Sequence, residues 1–118
     1  MANVFRGVHT RLENEVAIKI RTAPVGMAAA RFQREAMVAA KLEHQNLVRA
    51  TDVDQVAGLQ YMVLDYIDGE DADERVARKG ALEPREALTI IRDSALGLGE
   101  AHRHDFLHRD IKPANVMI

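Results

Sequence analysis

The chain has 118 residues, 47% of them hydrophobic and 29% charged, with a formal net charge of −2. That length supports one modest core, and the near-neutral balance with only 4% aromatic residues excludes the basic, aromatic-rich surface of a nucleic-acid binder. Cysteine is absent, which excludes disulfides and thiolate metal sites and suits a reducing compartment.

Residues 1–15 lack the apolar core and small-residue cleavage site of a signal peptide. No run approaches the ~18 apolar residues needed to cross a bilayer. The expected location is cytoplasmic, with any membrane anchor outside this span. Val4–Val8 and Glu15–Ile20 read as two strands around a polar turn at Arg11–Asn14, and Pro24 and Gly26 then break the pattern. Met27–Leu42 contains helix formers without an internal Gly or Pro, and Phe32, Ala36 and Met37 form an apolar stripe at helical spacing. Leu47–Val53 and Leu59–Ile67 are expected to pair as a second hairpin, with Asp54–Gly58 as its turn. Asp65–Glu74 is acidic at six of ten positions.

A short helix is expected over Asp73–Lys79, ending near Gly80. Pro84 opens the longest helix, Pro84–His104, because Pro at a first helical position gives up an N–H that has no helical partner. Leu88, Ile91, Ala95, Leu98 and His102 are spaced as a core-facing stripe. Gly97 and Gly99 each weaken that helix by up to ~1 kcal/mol relative to Ala, which is tolerable where another element packs closely. Strands, a helix, strands and then helices predict an α+β fold with a sheet-rich front and a helical rear.

The segment with the clearest chemistry is His108-Arg109-Asp110-Ile111-Lys112-Pro113-Ala114-Asn115. Phosphoryl transfer needs a carboxylate to orient and deprotonate a hydroxyl, a cation near the transferred group, and oxygen ligands for Mg²⁺. Asp110, Lys112 and Asn115 offer one of each. Scattered polar residues would be a solvated turn, but this octapeptide resembles the catalytic loop of eukaryotic-type protein kinases. Lys112, two places after Asp110, resembles the serine/threonine branch. The resemblance implies Asp110 as catalytic base, Lys112 as a γ-phosphate contact and Asn115 as a Mg²⁺ ligand. It also implies His108 as a buried packing residue and Arg109 as the partner of a phosphorylated activation loop.

Other segments extend the resemblance. Val16-Ala17-Ile18-Lys19 is the V-A-I-K strand as it stands. Alone, such a tetrapeptide is common in ordinary strands; in this company it implies Lys19 on the α- and β-phosphates and Ala17 against adenine. Glu35 stands where the family pairs a helix glutamate with the strand lysine. Leu42–Val48 resembles the exit from that helix, with His44 structural. Tyr61–Glu70 resembles the strand and hinge that hold adenine, with Leu64 as gatekeeper, the Asp65 C=O and Ile67 N–H bonding the adenine edge, and Asp71 placed towards the ribose. Val4, at the end of a segment similar to the glycine-rich loop, and Met117 complete the implied nucleotide contacts.

The implied fold is protein-kinase-like. Residues 1–67 form a small lobe with an antiparallel sheet, one helix (27–42) and the hinge, and residues 68–118 the first helices and catalytic loop of a helical large lobe. The implied function is transfer of the ATP γ-phosphate, with Mg²⁺, to Ser or Thr hydroxyls of protein substrates. The chain spans under half of such a domain. It meets the glycine-rich loop only at its end, with Ala2 in place of the third glycine, and stops before D-F-G and A-P-E. This span alone is therefore expected to have little activity and to leave the Pro84–His104 stripe partly exposed. The alternative is a non-catalytic remnant that binds nucleotide weakly or serves as an interaction module. His102, His104 and His108 have spacing unhelpful for a metal. Ala114 stands where kinases preferring basic substrates often carry Glu, so the acidic run does not argue for basic substrates.

Overall fold

In the computed structural model, residues 3–22, 36–37 and 39–118 are described. Four strands, β1 (Asn3–Val8), β2 (Glu15–Thr22), β3 (Ala50–Val56) and β4 (Leu59–Asp65), form one antiparallel sheet in the order β1-β2-β4-β3. Two helices, α1 (Ala72–Lys79) and α2 (Pro84–Arg103), and a 3₁₀ turn (Pro113–Asn115) follow. The chain divides into two compact units, one of residues 1–43 and 48–66 and the other of residues 44–47 and 67–118. Most of the expected helix Met27–Leu42 lies outside the described residues; within its span, Ala36, Met37 and Ala39 are helical, with Ala36 buried and Met37 exposed.

The second hairpin corrects the sequence expectation. Its first strand runs Ala50–Val56 instead of Leu47–Val53, and its turn shrinks to two residues. Residues 44–47 are diverted by their own hydrogen bonds: the Leu47 N–H donates to the His44 carbonyl at 2.9 Å and the Asn46 N–H to His44 Nδ1 at 3.1 Å. Within β3 the register shifts between Ala50 and Asp52, as at a β-bulge. Ala57 and Gly58 both have positive φ, 49° and 76°, as the tight turns that match strand twist require. Gln60 on β4 is 3% exposed, and its Oε1 has no hydrogen-bond partner among the described residues.

In the second unit, α1 starts one residue earlier than expected because Asp71 caps it. Asp71 Oδ1 accepts from the Asp73 and Glu74 N–H groups, both at 2.9 Å, while Glu74 Oε2 accepts from the Asp71 N–H at 3.2 Å. Glu70 pairs with Arg75 and Arg78, and Arg75 also reaches Glu86 of α2 at 2.6 Å. The Arg78 hydrogen bond is the largest effect on the Glu70 carboxyl; partial burial opposes it, and with the added help of Arg75 the pKa falls from 4.5 to about 2. A carboxylate with a depressed folded-state pKa stabilises above its unfolded value and loses that contribution as pH falls through the folded one. Acid titration followed by circular dichroism should therefore show stability falling between pH 4.5 and about 2, and Glu70→Gln should flatten the curve in that window.

The stripe on α2 is partly exposed, as expected of this span. Gly97 and Ala101 are the buried positions, whereas Leu88 and Ile91 are 67% and 63% exposed. Another stretch of backbone packs closely on the helix at Gly97. A Cβ at this residue would stand 2.6 Å from the Asn46 carbonyl oxygen, so the backbone of residues 44–47 rests directly on the helix there. Gly99 meets nothing within 4 Å. No helix among the described residues is long and apolar enough to cross a membrane.

Candidate active site

Period-two alternation in β1, β2 and β4 brings several predicted residues onto one face of the sheet. Directly opposed residues share a face. One cross-strand row is Val4, Lys19, Met62 and Val53, and the next is Arg6, Ala17, Leu64 and Ala50. Val4, Ala17, Lys19 and Leu64 therefore line the same surface, with Lys19 half-buried and Val4 exposed at the edge strand. Sequence reading missed Met62, although it lies two residues from Leu64 and belongs to that face by the same alternation. Glu35 lies outside the described residues.

The end of β4 is held from the side of β3. The Asp65 N–H donates to the Arg49 carbonyl at 3.0 Å, and Arg49 Nε donates to Asp65 Oδ2 at 3.2 Å. Together with Glu70, Asp71 and Glu74, this engages four of the six acids in residues 65–74 inside the fold. The acidic run is thus largely structural. Asp71 is committed to its helix through Oδ1. Ile67 opens the long section of the second unit and is exposed.

The second unit gathers Asp110, Lys112 and Asn115. The loop leaves α2 through Asp105, and Arg109 adopts a left-handed φ of 61°, a conformation costing of order 1 kcal/mol for a residue with a side chain. Hydrogen bonds on either side over-determine that turn. His108 Nδ1 accepts from the Asp110 N–H at 3.3 Å, and Asn115 Nδ2 donates to the Asp110 carbonyl at 2.8 Å. His108 is therefore an exposed local cap, not the buried packing residue expected. Pro113 starts the 3₁₀ turn that returns Asn115 to Asp110, closed by Asn115 N–H to the Lys112 carbonyl at 2.9 Å.

The Asp110 carboxylate lies 3.1 Å from Lys112 Nζ and accepts from Asn115 Nδ2 at 3.1 Å. The Lys112 hydrogen bond first, then that from Asn115, lowers its pKa, so it is ionised at neutral pH. With both bonds of Asn115 Nδ2 directed at Asp110, its Oδ1 is left as the oxygen suited to a hard cation. The segment after the turn is anchored: the Ala72 N–H donates to the Val116 carbonyl at 2.8 Å, and the Ile118 N–H to that of Glu70 at 2.9 Å. Met117 forms an isolated antiparallel bridge with Asp71 and is exposed.

The chain is similar to known proteins along its whole length. The protein kinase domain profile matches residues 1–118. The chain is 37% identical over 121 residues to the serine/threonine-protein kinase PrkC of Bacillus subtilis, covering all of this chain and 19% of that protein. It is 36% identical over 125 residues to the serine/threonine-protein kinase PknB of Mycolicibacterium smegmatis, covering 20% of it. The chain thus spans about a fifth of the length of these relatives. The crystal structure of the Mycobacterium tuberculosis PknI kinase domain superposes with a TM-score of 0.89 at 35% identity, over 100% of this chain and 50% of that one. The chain belongs to the protein kinase domain family, as the N-terminal part of a bacterial serine/threonine kinase domain of the PknB and PrkC kind.

Proposed function

We propose that the protein carrying this chain transfers the γ-phosphate of ATP to Ser or Thr hydroxyls of protein substrates. The observation that carries this is the Asp110–Lys112–Asn115 cluster, in which one ionised carboxylate is held by a cation and an amide on a single loop. Asp110 would accept the substrate hydroxyl proton and orient its oxygen. Lys112 would neutralise charge on the γ-phosphate, and Asn115 Oδ1 would hold Mg²⁺, which supplies further charge neutralisation when bound. On the sheet, Lys19 would bind the α- and β-phosphates with Glu35 as its partner. Val4, Ala17, Leu64 and Met117 would contact the base. The Asp65 carbonyl and Ile67 N–H would bond the adenine edge. With Asp71 Oδ1 capping α1, Oδ2 is the oxygen that would meet the ribose. These 118 residues by themselves should have little activity, since the D-F-G carboxylate of the family is not among them.

The experiment is calorimetric titration of the full-length protein with Mg-ATP, paired with radiolabelled transfer to a Ser/Thr protein substrate. Lys19→Met should weaken binding at least tenfold. Unchanged nucleotide affinity in that variant would remove the assignment of the sheet face, and absence of transfer by the wild-type protein would remove the catalytic reading.

A further inference from the structure

Arg6 lies in the same cross-strand row as Ala17 and Leu64, where the family resemblance assigned it no role. It is exposed on the edge strand, yet its guanidinium is fixed twice: it forms an ion pair with Glu15 across the hairpin, and its Cζ stands 4.6 Å from the centroid of the Tyr66 ring. Tyr66 is the first residue beyond β4, where the ladder that positions the strand has ended. The preceding residue, Asp65, is held by Arg49 through its N–H and its carboxylate. The Asp65 carbonyl belongs to the peptide between Asp65 and Tyr66. Arg49 thus holds the residue on one side of that peptide, through the Asp65 N–H and carboxylate, and Arg6, stacked on the Tyr66 ring, holds the residue on the other.

We propose that Arg6 is a positioning residue for nucleotide selection: by stacking on Tyr66 it sets the orientation of the Asp65 carbonyl and so favours adenine over guanine. This rests on the proposed ATP site. Adenine presents an amino donor at its six-position where guanine presents an oxo acceptor. A carbonyl held in place rewards the first and repels the second, whereas one free to rotate discriminates less.

The test is a double-mutant cycle on Arg6 and Tyr66 in the full-length protein, read as Kd for Mg-ATP and for Mg-GTP, with Tm measured alongside. Arg6→Ala and Tyr66→Leu should each weaken ATP about two- to fivefold while leaving GTP unchanged or tighter, the scale of an exposed cation–π contact. The double variant should be no worse than either single. Arg6→Lys keeps a cation over the ring and should recover most of the ATP preference. Additive single effects, or an ATP-to-GTP ratio unchanged in Arg6→Ala whatever its Tm, would overturn the inference while leaving the kinase reading intact. Failure of the wild-type protein to bind Mg-ATP would overturn both.

Discussion

Asp110→Asn in the full-length protein should reduce kcat for phosphoryl transfer by about 10²- to 10⁴-fold, the range a positioned general base supplies. Asn has nearly the shape of Asp and can still accept from Lys112 and Asn115, so the loop should keep its path. What it cannot do is take the substrate proton or carry the negative charge that Lys112 now neutralises. Because Asp110 is exposed, thermal stability should change by no more than about 0.5 kcal/mol. Rapid-quench measurement of the transfer step, beside a melting curve, separates the two effects. Loss of activity accompanied by a large drop in stability would mean that Asp110 is a structural loop residue instead.

Gly97→Ala should destabilise the fold by about 1–3 kcal/mol, whereas Gly99→Ala should stabilise it by up to ~1 kcal/mol. Both substitutions gain the same helix propensity. They differ in what the new methyl group meets: the Asn46 carbonyl oxygen at 2.6 Å for Gly97, and nothing within 4 Å for Gly99. A backbone oxygen cannot swing aside like the end of a side chain, so the turn at residues 44–47 or the helix must move, and the steric cost exceeds the propensity gain. Urea denaturation of the two variants checks this; equal midpoints would show that the close approach has no energetic weight.

The sequence made the strands and helices legible where periodicity is strong. The short β-branched run Val16–Ile20 and Pro at the start of α2 each located an element to within two residues. The Asp110 loop could be read because its chemistry is local, with Asn115 five positions from Asp110 and joined by a short turn. Features made by partners far apart in the chain were illegible. Nothing in Leu47-Val48-Arg49 signals that the preceding turn will rest on a glycine of a later helix, or that the strand will begin only at Ala50. The α2 stripe lies partly open, as expected of this span, while the buried positions fall at Gly97 and Ala101, which helical spacing of large apolar residues does not mark. Gln60 was invisible as a core residue because its polarity disguises its place in the alternation. His108 differed because a histidine ring nitrogen can cap a backbone N–H within two residues without being buried.

The seat of Asn46 on Gly97 also orders events during synthesis. Chains emerge from the N-terminus, and early segments can fold while later ones are still being made. The β4 strand, and with it the whole four-stranded sheet, is complete once Asp65 has emerged. Residues 44–47, although made earlier, belong to the other unit, and their seat on the helix exists only once Gly97 has been added. For that interval the nascent chain carries a fully paired sheet whose 44–47 turn has not yet met its helix, a window in which a chaperone or protease would meet this segment in a form the finished protein does not present.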